Sequence, residues 1–149
     1  MSVRIANQGD IPAIFEVRTS VRENHLDLII LAERGITPES VASMIDGDGL
    51  RTWVAEDGDS VAGFVMADAN AGCVSALFIS PGAEGKGNGR KLLHAAEQWL
   101  RAGGWETIWL QTGEDPGNRA HHFYKSAGWT ILGPADHGDV RYEKTLSPS

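Results

Sequence analysis

From Ser80 to Leu100 the chain reads SPGAEGKGNGRKLLHAAEQWL. Gly82, Gly85, Gly87 and Gly89 crowd its first half, and from there Leu92, Leu93, Ala96, Trp99 and Leu100 recur at helical spacing until Gly103-Gly104 ends the pattern. Just upstream, CVSALFIS (73–80) is near-continuously apolar, which marks a strand in the middle of a sheet. A strand that feeds a helix through a glycine turn is suited to an anion. The first helical N–H groups lack intrahelical partners, the macrodipole adds positive potential, and missing side chains allow close approach. Lys86, Arg90 and Lys91 make this turn locally basic, so a poly-phosphorylated ligand is expected. The bland alternative is a tight turn and no more.

Two phosphate motifs fail against these letters. The Gly85-Lys86 pair is followed by Gly87 and has Ser80 where a Walker A loop needs its first glycine. Gly85, Gly87 and Gly89 read G-x-G-x-G, with Arg90 where a dinucleotide fingerprint needs its last glycine.

Working outward, RTWVAE (51–56) and SVAGFVMAD (60–68) flank Asp57-Gly58-Asp59, a hairpin signal. VRIA (3–6) reads as a first strand. Asn7 or Asp10 then caps a helix with Pro12 in its first turn and Ile11, Ile14, Phe15 and Val21 on its apolar side. Further helical stretches are expected from about Leu26 to Glu33, stopped by Gly35, and from Thr37-Pro38 through Ile45. Downstream, WETIWLQT (105–112) is a strand and Asn118 to Ala127 a helix with Ala120, Phe123, Tyr124 and Ala127 on one stripe. WTIL (129–132) and VRYEKTL (140–146) supply the last strands. The order points to an α/β fold with a mixed sheet covered by helices.

The composition of 149 residues, 42% hydrophobic and 22% charged, fits one domain, read as residues 1–146 with 147–149 a frayed tail. No apolar run approaches the roughly 20 residues of a membrane span, and MSVRIANQGD is followed by no signal-peptide h-region. A net charge of −7 argues against nucleic acid and anionic membrane as partners. Lone Cys73 is expected as a buried thiol in a cytoplasmic protein. The five Trp are expected mainly in the core.

LFISPGAEGKGNGRKLL (77–93) resembles the acyl-CoA-binding motif of the GNAT family of N-acyltransferases, Q/R-x-x-G-x-G/A after a strand, with Glu84-Gly85-Lys86-Gly87-Asn88-Gly89 filling the frame. NRAHHFYKSAGW (118–129) matches the family's N-x-x-A-x-x-[FLY]-Y-x-x-x-G-[FW] pattern, and the two stand in the family's order. The resemblance implies the GNAT fold, a twisted mixed sheet of about six to seven strands with helices on both faces. It implies acetyl-CoA as co-substrate, no metal, and an amine acceptor, with a homodimer left open.

By the same resemblance, backbone N–H groups among Gly85, Lys86, Gly87, Asn88, Gly89, Arg90 and Lys91 hold the pyrophosphate. Asn118 contacts the cofactor arm, and backbone at Phe78 and Ile79 donates to the thioester carbonyl. Tyr124 matches the tyrosine that protonates the departing sulfur, and a phenol of pKa near about 10 suits that task. Its bland reading is a core Tyr with a bonded hydroxyl. Glu84 departs from the family's Gln or Arg; a carboxylate beside pyrophosphate is adverse unless paired, and Lys86 is at hand.

An acceptor ammonium must also lose a proton. In VRTSVRENHLD (17–27), which corresponds to the family's acceptor wall, a helix would align Arg18, Arg22 and His25, with Glu23 and Asp27 nearby. Glu23 and His25 are the candidate bases, against a bland reading as a solvated face. His121 and His122 lack metal-ligand company. No G-x-S-x-G elbow appears, which favours direct attack in a ternary complex. The alternative reading is a non-catalytic acyl-CoA-binding regulatory domain. A nucleotide or FAD binder leaves the second motif unexplained.

Overall fold

The computed structural model describes residues 2–20, 28–83, 87–113, 119–135 and 139–146. Its first half is an antiparallel sheet of β1 (Ser2–Ile5), β2 (Leu50–Asp57), β3 (Ser60–Asp68) and β4 (Cys73–Ile79). The expected β2–β3 hairpin forms, with Asp57 already paired to Ser60 so that the connection is two residues, and Gly58 takes a φ of 65° that a side chain would resist.

Between β1 and β2 run α1 (Ile11–Ser20), α2 (Leu28–Glu33) and α3 (Pro38–Asp46). A short 3-10 turn (Gln8–Asp10) leads into α1, with Asn7 and Asp10 capping each other's backbone, while Thr37 and Ser40 do the same at α3. Arg4 clamps Asp10 through both guanidinium nitrogens at 2.8 Å, and that partner holds the Asp10 carboxyl below its usual pKa. On the apolar side of α1, Ile14 is buried and Ile11 and Phe15 pack against the same cluster as expected, Val17 joins them buried, and Val21 lies outside the described residues.

Beyond β4 come α4 (Asn88–Ala102), β5 (Thr107–Gly113), α5 (Arg119–Ser126), β6 (Thr130–Pro134) and β7 (Asp139–Thr145). They complete a sheet of seven strands in the order β1-β2-β3-β4-β5-β7-β6, the mixed α/β sheet that the sequence led one to expect. β4 is central, as its unbroken apolar run requires. β4 and β5 are its parallel neighbours, and among the described residues they meet at one register pair, Cys73 with Trp109.

Period-two alternation divides the core. Val54, Phe64 and Met66 face α1 and α3, whereas Trp53, Ala55, Val65 and Ala67 face the side built by Leu92, Leu93, Ala96 and Leu100 of α4. Trp53 and Trp129 are buried and the other three Trp partly so. Cys73 is buried, and desolvation raises its thiol pKa.

A polar tie fixes α5 against α4. Buried Glu97 accepts from the Trp129 indole at 3.1 Å and from Lys144 Nζ at 2.9 Å. The same ammonium donates to the Ala127 carbonyl at 2.9 Å and so closes the C-terminus of α5.

Candidate active site

The N-terminus of α4 differs from the capped starts near α1 and α3. Its N-cap is Gly87, in the left-handed region at φ 83°, and no side chain caps the helix. Asn88 follows, 2% exposed, and its Nδ2 has no hydrogen-bond partner among the described residues. A buried amide left with donors to spare costs on the order of 1–3 kcal/mol unless a ligand or water completes it. At Gly89 a Cβ would stand 3.3 Å from Phe123 Cζ and 3.8 Å from Ile79 Cγ1, so its bare backbone lets α5 and the end of β4 close on the first turn.

The basic side chains are not all turned to this turn. Arg90 donates to the Ser126 carbonyl at 3.1 Å, joining α4 to the last turn of α5, and Lys91 is exposed.

The end of β4 is open on one edge. The Ser80 N–H donates to the Ala62 carbonyl, and the Phe78 carbonyl comes within 2.8 Å of where a Gly63 Cβ would stand. Peptide groups alternate along a strand, so Phe78 bonds toward β3 while Leu77 and Ile79 turn their N–H and C=O to the β5 side. There β5 has already diverged after the Cys73–Trp109 pair. Where the sequence pointed to Phe78 with Ile79, the backbone that faces the gap is that of Leu77 and Ile79. A bulge explains the slip: Ala67 pairs with Val74 but Met66 with Ala76, so Ser75 is extra and reverses the alternation.

Tyr124 of α5 is 6% exposed and packs among the rings of Phe123, Trp129 and Tyr142. No hydrogen bond engages its hydroxyl among the described residues. Desolvation, then Tyr142, pushes its phenol pKa well above the ordinary value. His121 is buried with Nδ1 2.6 Å from the Tyr142 hydroxyl, and His122 is exposed.

A pocket of about 390 Å³ opens on the other face of β4, between α1 and α3. Its floor is the Phe64–Phe78 ring pair, centroids 5.7 Å apart, and the Arg18 guanidinium lies 4.2 Å from the Phe78 centroid. Arg18 is therefore no solvated helix-face residue; burial lowers its pKa.

The fold brings Ile79, Gly87, Asn88 and Gly89 to one end of the sheet beside α5, and places the Phe78 side chain on the opposite face. Glu84, Gly85, Lys86, Asn118, Arg22, Glu23, His25 and Asp27, and the tail 147–149, lie outside the described residues. Among the described residues no group of His, Cys, Asp and Glu could hold a metal, and no helix is long and apolar enough to cross a membrane.

The family model described as "Acetyltransferase (GNAT) family" matches residues 17–129. No curated protein sequence matches the chain. Among solved structures, the chain is similar to the PaiA N-acetyltransferase from Thermoplasma acidophilum in complex with coenzyme A, at 18% identity and TM-score 0.80 over 98% of this chain and 100% of that one. The ribosomal-protein-S18-alanine N-acetyltransferase from Escherichia coli aligns at 17% identity and TM-score 0.74, over 99% of this chain and 95% of that one. An aminoglycoside 6'-acetyltransferase type Ii aligns at 20% and 0.74, over 100% and 99%. At these identities the likeness is one of fold.

Proposed function

Because the chain belongs to the acetyltransferase (GNAT) family, we propose that it is an N-acetyltransferase that passes an acetyl group from acetyl-CoA to a primary amine of a small molecule or protein, by direct attack in a ternary complex. One observation carries the reading: the uncapped, glycine-started α4 and the unpaired backbone of Leu77 and Ile79 stand at the same end of the sheet. The first suits a pyrophosphate. The second suits an extended arm bearing amides, which would add to the open edge as a strand does.

The residues fit that ligand. The free Asn88 Nδ2 and the N–H groups of Asn88, Gly89 and Arg90 are donors for phosphate oxygens, and Gly89 leaves the approach clear. When bound, acetyl-CoA supplies a thioester whose carbonyl carbon bonds to the amine nitrogen as the C–S bond breaks. In this reading the Ile79 N–H, which faces the gap, donates to the carbonyl oxygen as charge develops there. Tyr124 is the proton source for the departing sulfur. Burial keeps its phenol protonated, and the same burial raises the proton affinity of a thiolate, so donor and acceptor stay matched. Removal of the ammonium proton falls to Glu23, His25 or an ordered water.

Isothermal titration with acetyl-CoA, against ATP, tests the cofactor, and thiol release with an amine panel tests the transfer. Micromolar, CoA-selective binding with turnover supports the reading. Binding with no turnover of any amine leaves a CoA-binding regulatory domain, and equal binding of ATP overturns the cofactor assignment.

A further inference from the structure

We propose that His121 is a positioning residue for acetyl transfer: by holding the Tyr142 hydroxyl it fixes the ring wall that aims Tyr124. The inference rests on the acetyl-transfer reading above, with Tyr124 as its proton source.

Spacing brings the three side chains together. His121 and Tyr124 stand three residues apart on α5, so they neighbour each other on one helix face. Tyr142 of β7 packs against both, its ring centroid 5.7 Å from that of His121 and 5.8 Å from that of Tyr124.

Burial makes the bond between His121 and Tyr142 matter. Tyr142 is 0% exposed, and a hydroxyl so enclosed costs about 1–3 kcal/mol when it has no partner. Nδ1 of His121, 2.6 Å away, is that partner. The Tyr142 ring is thereby held in place by a directed bond as well as by packing.

Tyr124 depends on such walls. Its own hydroxyl makes no hydrogen bond among the described residues, so its direction is set by the rings of Phe123, Trp129 and Tyr142. Two of those rings are pinned by polar side chains, Trp129 by Glu97 at 3.1 Å and Tyr142 by His121. The Glu97 pin also ties α4 to α5, whereas the His121 pin joins α5 to the strand that carries the wall of the acid. A proton donor must reach its target to about 2.6–3.2 Å, and a misplacement of about 1 Å can cost about 10²-fold.

The test compares the full chain with His121→Leu, His121→Asn and the double variant His121→Leu/Tyr142→Phe. Thiol release from acetyl-CoA is followed with hydroxylamine, a small and largely unprotonated nucleophile that makes little demand on an acceptor pocket or base. Tyrosine labelled with 13C at Cζ reports the Tyr124 ring, its signal assigned by its loss in Tyr124→Phe. His121→Leu strands the Tyr142 hydroxyl and should lower kcat about tenfold, shift the Tyr124 signal and leave the KM for acetyl-CoA within about threefold. An Asn amide reaches about as far from the backbone as Nδ1, so His121→Asn should recover most of the rate. The double variant removes both partners and should recover most of it too, with the Tyr124 signal returning. An unmoved rate and Tyr124 signal in His121→Leu would overturn the inference and leave acetyl transfer standing. So would a loss of rate that the double variant does not recover, because His121 would then not act through Tyr142. Should the unaltered chain neither bind acetyl-CoA nor release its thiol, the acetyl-transfer reading falls, and the positioning role falls with it.

Discussion

Phe123 of α5 rests on Gly89 of α4 so closely that one added methyl would stand 3.3 Å from the ring's Cζ. Ala in place of Gly gains about 1 kcal/mol of helix propensity, and it must push the ring by a few tenths of an ångström. The two effects roughly cancel in stability and do not cancel at the turn. Gly89→Ala is therefore expected to leave the thermal midpoint within a few degrees and to weaken acetyl-CoA binding about tenfold, as read by calorimetry.

Gly87 presents the opposite case. Nothing lies within 4 Å of a Cβ built there, yet φ is +83°. The cost of Gly87→Ala is thus backbone strain alone, roughly 1–2 kcal/mol. For a chain of this size that lowers the thermal midpoint by about 2–8 °C. Gly87→Asn, whose residue tolerates the left-handed region, should lose less than half as much.

Lys144 is the partner of a buried carboxylate. Lys144→Ala strands Glu97 and is expected to cost about 3 kcal/mol in denaturant unfolding. Pairing it with Glu97→Gln removes the stranded charge and should recover at least half of that loss, because Gln still accepts from the Trp129 indole.

Tyr124 and Tyr142 both have pKa values raised in the fold, chiefly by burial. Above the unfolded phenol value of about 10, the unfolded chain releases protons that the folded chain retains, so stability is intact below about pH 10 and falls as pH rises beyond it. Denaturant unfolding between pH 9 and 11 should show this decline, and Tyr124→Phe should make it shallower.

Tyr124→Phe also tests the assigned acid. Turnover should fall by about 10²-fold or more, with acetyl-CoA affinity held within about threefold. Unchanged turnover would return Tyr124 to a packing role.

Much of the architecture was legible because local chemistry spells it. Thr37-Pro38, Gly58 and Gly103 mark boundaries by capping, positive φ and helix termination, and the apolar run of β4 places it centrally. The site was legible as a turn but not as an edge. Ser75 is one extra residue in β4, and no pattern in CVSALFIS betrays it, yet it decides that Leu77, in place of Phe78, faces the gap. The side-chain partners of Arg18 and Arg90 were not legible for a related reason. Sequence shows their charge, while the Phe78 ring and the Ser126 carbonyl that engage them come from distant parts of the chain.

The single register pair between β4 and β5 has a mechanical meaning. A sheet transmits stiffness through its ladders, and here two well-laddered blocks, β1 to β4 and β5 to β7, share one rung. Stress concentrates at such a junction. An arm lying in the gap would act as a rung supplied from outside, so that the rigidity of the whole molecule becomes a property of its loaded form.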